Sequence, residues 1–351
     1  VSAQRVEALL SLARRIADPR DPLFHALCAV LVRSSGLSPE GVKLALTEHL
    51  ETSVSPDGLT TLLASVTAAP RCHVVLSANV CVAALRAIVL AVATSDVVLI
   101  KPSRRDPWLT ELLVREGAPL MRALGVELSL TDSLAVQPGD EVHFYGGAEA
   151  ASAVRDQLPP GARLRVHGPG FGLAHVDAQS SLEDAARLLA QDVVPFDQQG
   201  CLSPRVAFVA GPTERVQRFA ECLAGELQLA SQRVPRGAVA ESLRAEAAVF
   251  ERTLQAVGEV LRGPEHLVAV DLAPESLLLP PPVRALLVLP ATVGPRLLRP
   301  VQSEITCVGV CGGVPEWVPV RARVVPLGKM QRPALDGPVD GRTELENVRR
   351  Q

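Results

Sequence analysis

The chain has 351 residues, 48% of them hydrophobic and 21% charged, with a formal net charge of -3 at pH 7. It is long enough for two domains with sizeable apolar cores, and the near-neutral charge argues against a polyanion-binding surface, so no nucleic-acid partner is expected. Its seven cysteines, an odd number scattered mostly through apolar runs, do not form the disulfide framework of a small secreted chain. A reducing cytoplasm is the expected compartment. No N-terminal signal pattern is visible, and the start at Val1 leaves a removed leader or tag open. The most hydrophobic window, 80–94, is shorter than the ~20 residues a membrane span needs and contains Arg86, so it reads as a buried helix and no membrane span is expected.

Residues 2 to about 63 read as helices: Val6, Leu9, Leu10, Ala13 and Ile16 recur at helical spacing, and 22–32 and 39–50 repeat the pattern. At Cys72 the period changes. His73-Val74-Val75-Leu76 is a short apolar strand, Ser77-Ala78-Asn79 a turn, and 80–93 a helix. A strand over 96–100 ends in Lys101-Pro102-Ser103 and leads to a helix over 108–124, and strands over 126–130 and 141–145 complete the first half. Short strands alternating with helices predict βαβ units and a parallel sheet covered on both faces, the doubly wound nucleotide-binding arrangement. Tyr145-Gly146-Gly147 joins a strand to the helix 148–158, a junction where backbone can approach a diphosphate. Without the full G-x-G-x-x-G fingerprint it reads equally as a plain turn.

A second α/β unit begins near Arg163, with strands over 163–166 and 173–176 around the glycine-rich turn 167–172, then a helix over 182–191. Beyond the loop 196–205 come a strand over 206–209, helices over 214–229 and 240–261, and strands over 267–270, 285–289 and 305–310. Pro280-Pro281-Pro282 and 290–300 read as loops within this unit.

Metal chemistry is not expected: there is no H-E-x-x-H and no paired C-x-x-C, and Cys307 and Cys311 share one strand face without a second pair of ligands. A serine nucleophile is unsupported, since no G-x-S-x-G occurs. What remains is a cysteine beside a nucleotide-binding half. The stretch Phe196-Asp197-Gln198-Gln199-Gly200-Cys201-Leu202-Ser203-Pro204-Arg205 sets one thiol between a glycine and a Ser-Pro pair, just before an apolar strand. Alone, such a cysteine reads as a small buried apolar residue; in this company it is a candidate nucleophile.

These features, in this order, resemble the aldehyde dehydrogenase superfamily. Asn79, before an apolar helix, is similar to the asparagine that helps hold the oxyanion. Lys101-Pro102-Ser103 resembles the K-P-S whose lysine and serine meet the adenosine ribose and its phosphate. Phe144-Tyr145-Gly146-Gly147 resembles the F-x-G-S turn at the diphosphate, with Gly147 where a serine is usual. Gln199-Gly200-Cys201 resembles the nucleophile motif, and Gln302-Ser303-Glu304-Ile305 the E-E-I segment whose second glutamate binds the nicotinamide ribose. Hydrolytic members carry a glutamate base where this chain has Val166-His167-Gly168. Without it an acyl-enzyme is spared attack by water, and the closest resemblance is to the LuxC-like acyl-CoA reductases, with their C-(S/L)-S-P-(K/R) motif. The tail Pro326-Leu327-Gly328-Lys329-Met330-Gln331-Arg332-Pro333 and Asp340-Gly341-Arg342 resemble that family's closing segment.

The resemblance implies an aldehyde dehydrogenase-like α/β fold with two doubly wound domains and a small oligomerisation element. Residues 1–165 would form a helical N-terminal region and the NAD(P)-binding domain, 166–323 the catalytic domain carrying Cys201, and 324–351 a tail returning to the cofactor domain or an oligomer interface. It implies NADPH-dependent reduction of a fatty acyl-CoA or acyl carrier protein thioester to the aldehyde, by a homo-oligomer (dimer or tetramer) with an acyl-activating synthetase as partner. Cys201 and Asn79 would be catalytic, with His167 either an acid or base or a structural residue. Lys101, Ser103, Gly146, Gly147 and Glu304 would meet the cofactor; Arg104 and Arg105 either reach its 2′-phosphate or form a solvated helix entry. Three other readings stay open: an acyl-phosphate reductase similar to γ-glutamyl-phosphate reductase, an acyl transferase or thioesterase without hydride transfer, and a silent scaffold in an acyl-processing complex.

Overall fold

The computed structural model describes residues 2–65, 68–77, 80–333 and 345–347, so Asn79 and Asp340-Gly341-Arg342 lie outside the described residues. Four helices come first: α1 (Ser2–Ala17), α2 (Pro22–Ser34), α3 (Pro39–Leu44), which runs on into a π-helical turn Ala45–His49, and α4 (Pro56–Ser65). Two of their starts are written in the sequence. Asp21 and Ser38 each precede a proline at the first helical position and accept a backbone N–H, from Leu23 at 2.9 Å and Gly41 at 3.0 Å.

The first sheet uses β1 (Arg71–Val75), β2 (Val97–Lys101), β3 (Glu127–Leu130), β4 (Glu141–Tyr145) and β5 (Arg163–His167), connected through α5 (Ala84–Thr94), α6 (Trp108–Ala123) and α7 (Ala148–Gln157). The second uses β6 (Phe171–Val176), β7 (Pro204–Val209), β8 (Glu259–Arg262), β9 (Leu267–Val270), β10 (Ala285–Pro290), β11 (Ile305–Cys311) and β12 (Arg323–Pro326), with α8 (Leu182–Val193), α9 (Thr213–Arg233), α10 (Glu241–Val257) and the short α11 (Gly294–Leu298). The last strand, β13 (Leu345–Asn347), returns to the first sheet. The sheet orders are β13-β5-β4-β1-β2-β3 and β12-β11-β6-β7-β10-β9-β8. Among the described residues, only β13 on β5 and β8 on β9 pair antiparallel.

The apolar stripe of α1 buries Val6, Leu9, Leu10, Ala13 and Ile16 completely against α5 and α6. On α8, Leu182, Ala185, Leu189 and Val193 repeat at helical spacing and face the second core. Three expectations shift. The helix expected from residue 80 starts at Ala84, because its first residue is preceded by no capping side chain and 80–83 form turns instead. The helix expected over 240–261 stops at Val257. A β-carbon on Gly258 would lie 2.0 Å from the Val270 carbonyl oxygen, so the chain extends there and the next residues pair as β8. The first sheet runs on to His167, two residues past the division expected at 165.

Asp177, at the end of β6, accepts N–H groups from Gln179, Ser180 and Gly313, at 3.0, 2.8 and 2.8 Å, and so ties β6 to the loop after β11. The bond from Gly313 and that from the Ser180 hydroxyl are the main forces holding its carboxyl down at about 2, against 3.8 ordinarily. A depressed carboxyl stabilises the fold above its unfolded value, and the contribution is lost as the pH falls through the folded one. Acid unfolding between pH 4 and pH 2 is therefore expected to be shallower in Asp177→Asn than in the wild type, measured by far-UV circular dichroism; equal slopes would contradict this role.

Candidate active site

Cys201 sits half-exposed in a tight turn between a 3-10 segment, Pro195–Gln198, and β7. Phe196, Asp197 and Gln198 all have positive φ, of 56°, 50° and 67°. Left-handed backbone at non-glycine residues costs about 1–2 kcal/mol each, so something must impose it. Arg284, fully buried, gives Asp197 Oδ1 two bonds, from Nε at 3.0 Å and Nη2 at 2.7 Å, and holds Ser231 Oγ and the Val234 carbonyl through Nη1. The Gly237 N–H reaches Asp197 Oδ2 at 2.9 Å. Gln198 acts as a staple: its Nε2 donates to the Pro204 and Ala285 carbonyls, at 2.7 and 2.8 Å, and its Oε1 accepts the Ala285 N–H. Phe196 is buried in the core of the first sheet, edge-on to His49 at 5.4 Å.

The turn is also held from below. The Thr306 hydroxyl lies 2.5 Å from the Cys201 carbonyl oxygen and 3.0 Å from that of Phe171, and donates between them. Gly172 has no room for a side chain: a β-carbon there would lie 2.5 Å from the Leu202 carbonyl oxygen and 2.6 Å from Met330 Cε. The closing segment docks beside it. Asp192, buried in α8, accepts the N–H groups of Gly328 and Met330 at 2.6 and 2.9 Å, and Gln331 Nε2 donates to Ser203 Oγ at 2.9 Å. Burial raises the Asp192 carboxyl to about 7, against the pull of those N–H groups.

Thiol environment separates the cysteines. Cys72 and Cys307 are buried. Desolvation raises the thiols of Cys28, Cys72, Cys81 and Cys222, that of Cys81 to about 12.

On the first sheet, Val75 of β1 lies between Lys101 of β2 and Phe144 of β4, so Lys101 and the Tyr145-Gly146 turn share one carboxyl edge. Ligands of open α/β sheets bind at such edges. Gly146 is forced, since a β-carbon there would lie 2.7 Å from Phe144 Cζ. Gly147 caps α7, is exposed and has open space around its β-position, so a phosphate-bearing ligand has room there. Ser103 Oγ accepts the Arg105 N–H at 3.3 Å, and Arg104 and Arg105 are exposed. His167 lies opposite Tyr145 on the same edge, its ring stacked on the phenol with centroids 4.1 Å apart and planes 2° apart.

The two halves meet at the cysteine. A β-carbon on Gly200 would lie 3.5 Å from Val80 Cγ2, so the chain just after Asn79 touches the residue before Cys201. Glu304, exposed, stands two residues before Thr306 and so beside the same turn. Cys201, Glu304 and Val80 are thus gathered at one place, and Lys101, Gly146, Gly147 and His167 lie along the carboxyl edge of the first sheet. A cavity of about 580 Å³ lined by Ser2, Arg5, Pro70, Thr94 and Asp96 lies at the opposite, amino end of β1 and β2 and takes no part in this site. Sequence reading missed Arg284, Thr306 and Asp192. Only Arg284 gave a local sign, as a charge directly before an apolar strand.

A model of the acyl-CoA reductase (LuxC) family matches residues 64–259, more than half of the chain and a span that contains Cys201 but not Glu304. The long-chain acyl-protein thioester reductase of Aliivibrio fischeri is 24% identical over 213 residues, 57% of this chain and 44% of that protein. Long-chain acyl-protein thioester reductase 2 of Photobacterium leiognathi is 26% identical over 174 residues, 46% of this chain and 36% of that protein. The match therefore spans less than half the length of these relatives. Among solved structures, an NAD-dependent benzaldehyde dehydrogenase from Corynebacterium glutamicum superposes with a TM-score of 0.69 at 13% identity, covering 98% of this chain and 82% of that one. An NAD-dependent aldehyde dehydrogenase from Sinorhizobium meliloti gives 0.65 at 14% identity, covering 92% and 73%. With a cysteine turn wedged between two doubly wound sheets, and with the family model spanning β1 through α10, this chain has the aldehyde dehydrogenase fold and belongs to the LuxC family of acyl-CoA reductases.

Proposed function

We propose that the chain reduces a fatty acyl thioester, carried on CoA or on a protein, to the aldehyde, with Cys201 as nucleophile and NADPH as reductant. The observation that carries this reading is the cysteine turn itself, a half-exposed thiol on a strained backbone fixed by Arg284, Gln198 and Thr306. Strain of this kind persists where the surroundings over-determine it, and it clusters at active sites.

In this reading the Cys201 thiolate attacks the thioester carbonyl, and the developing oxyanion is met by the Cys201 N–H and the Asn79 amide. The tetrahedral adduct collapses, the carrier thiolate leaves and takes a proton, and the acyl group stays on sulfur. When bound, the nicotinamide supplies a hydride to that acyl carbon. The resulting thiohemiacetal oxyanion re-forms its carbonyl and expels Cys201 as thiolate, releasing the aldehyde. Val166-His167-Gly168 offers no carboxylate where hydrolytic relatives of the fold carry their base, so water is not activated against the acyl-enzyme. The first sheet would hold the cofactor through Lys101, Ser103, Gly146 and Gly147, with Arg104 at a 2′-phosphate and Glu304 at the nicotinamide ribose. The second sheet would carry the chemistry. His167, stacked on Tyr145, would border the cofactor and act through that position.

Two measurements follow. The protein incubated with NADPH and a series of acyl-CoA and acyl carrier protein thioesters should release aldehyde and consume NADPH one for one. Aldehyde from no thioester, by protein shown to bind NADPH, would sink the reading. Thr306→Val keeps the size of the side chain and removes the hydroxyl that holds the Cys201 carbonyl. Losing one such bond costs about 1–2 kcal/mol, so turnover should fall about 5- to 30-fold with little change in KM; an unchanged kcat would remove Thr306 from the positioning apparatus.

A further inference from the structure

Arg205 begins β7, four residues after Cys201, at a place where the ladder with β6 slips: Gly172 pairs with Pro204, but Leu173 pairs with Val206. Such a slip is a bulge, and bulges re-aim side chains at sheet edges and beside active sites. Its Nε is shut off from solvent and has no hydrogen-bond partner. Glu246, exposed on α10, acts on Arg205 only through its charge, and burial pulls the guanidinium down to about 10, which leaves it cationic at neutral pH. Arg205 as a whole is half-buried, and a guanidinium has five N–H donors that are ordinarily paired where water is withheld. Arg284, at the same end of the second sheet, has carboxylates in Asp197 at 2.7 Å and Glu265 at 3.6 Å. Arg205 has no ion pair among the described residues.

The position of Arg205 says what it is for. The strands run in the order β11-β6-β7, with Phe171 beside Ile305 and Gly172 beside Pro204. Glu304, Cys201 and Arg205 therefore stand at one end of three adjacent parallel strands, and the outer two strands are about 10 Å apart at ordinary sheet spacing. We propose that Arg205 is the receptor for a phosphate oxyanion of an incoming ligand, completed only when that ligand binds. The choice of phosphate rests on the function proposed above, in which the fatty chain is uncharged and the charged partners, a nicotinamide dinucleotide and a phosphopantetheine thioester, carry phosphates. The planar fork of arginine suits a phosphate bidentately.

The test uses the full chain and two substitutions, Arg205→Met and Arg205→Lys, with calorimetric titration of NADPH, CoA and inorganic pyrophosphate and with thermal unfolding in ligand-free buffer. A half-buried cation without an ion pair carries a desolvation cost in the free fold. Arg205→Met should therefore unfold at the wild-type temperature or above it, while binding pyrophosphate and one of the two larger ligands about 10- to 100-fold more weakly. Arg205→Lys should fall between. The weakened ligand identifies the source of the phosphate: NADPH for the dinucleotide, CoA for the thioester carrier. The proposal is overturned if Arg205→Met binds all three as the wild type does. It is equally overturned if that variant unfolds at a lower temperature or fails to fold, since the guanidinium would then be serving the fold through Glu246. Pyrophosphate binding that depends on Arg205, in a protein that releases no aldehyde from any thioester, would keep this site and discard the proposed reaction.

Discussion

Replacing Cys201 by alanine should abolish aldehyde formation, a loss on the order of 10⁴- to 10⁶-fold if this thiol is the nucleophile. NADPH binding, measured by calorimetry, should be unchanged, because no side chain of the Lys101–Gly146 edge is altered. The substitution removes one sulfur from a half-exposed turn, so the unfolding midpoint should move little. A variant that keeps a tenth of the wild-type rate would place the nucleophile elsewhere. Cys72, Cys81 and Cys307 are poor replacements: Cys72 and Cys307 are buried, and desolvation raises the thiols of Cys72 and Cys81.

Asp197→Ala should be the most damaging substitution for stability. It leaves Arg284, fully buried, with only the longer contact to Glu265 at 3.6 Å, and breaking a buried pair by removing one partner costs about 3–5 kcal/mol. Urea unfolding should show the midpoint falling with an unchanged slope. The double substitution Asp197→Leu with Arg284→Met removes both charges and should recover much of that stability, since apolar replacement of a whole buried pair is often neutral. Activity should not return with it. The left-handed backbone at Phe196, Asp197 and Gln198 would have lost the clamp that imposes it, and Cys201 is three residues further on. Recovery of activity along with stability would show that the pair serves folding alone.

The alternation of strands and helices was legible because each element carries its own signal. Valine-rich runs of about five residues, with glycine, proline or charge at their ends, gave β1, β2, β4 and β7 nearly in place. The failures have local causes. At 240–261 the apolar period continues across Gly258, and only the close approach of the Val270 carbonyl, contributed by another strand, makes that glycine the end of the helix. Cys201 was legible because its flanks, a glycine and a Ser-Pro pair, are unusual around a core thiol. What fixes it was not. Asp197 and Arg284 lie 87 residues apart, and Cys201 and Thr306 lie 105 apart, distances at which neither charge nor hydroxyl announces its partner. The same holds for Asp192 and the closing segment, 136 residues away at Gly328. Family resemblance gave the order of the motifs, and the fold supplied the contacts around the cysteine turn.

The central claim is that Cys201 holds the acyl group for hydride and not for water. Its most direct test is intact-protein mass spectrometry after mixing the protein with a long-chain acyl-CoA or acyl carrier protein thioester and no nicotinamide. The expected result is a mass increase of one acyl group, mapped by digestion to Cys201 and absent from Cys201→Ala, that persists for many turnover times. On addition of NADPH it should disappear within one turnover as the aldehyde is released. An adduct on another residue, no adduct at all, or an adduct that decays to free fatty acid equally fast with and without NADPH would contradict it.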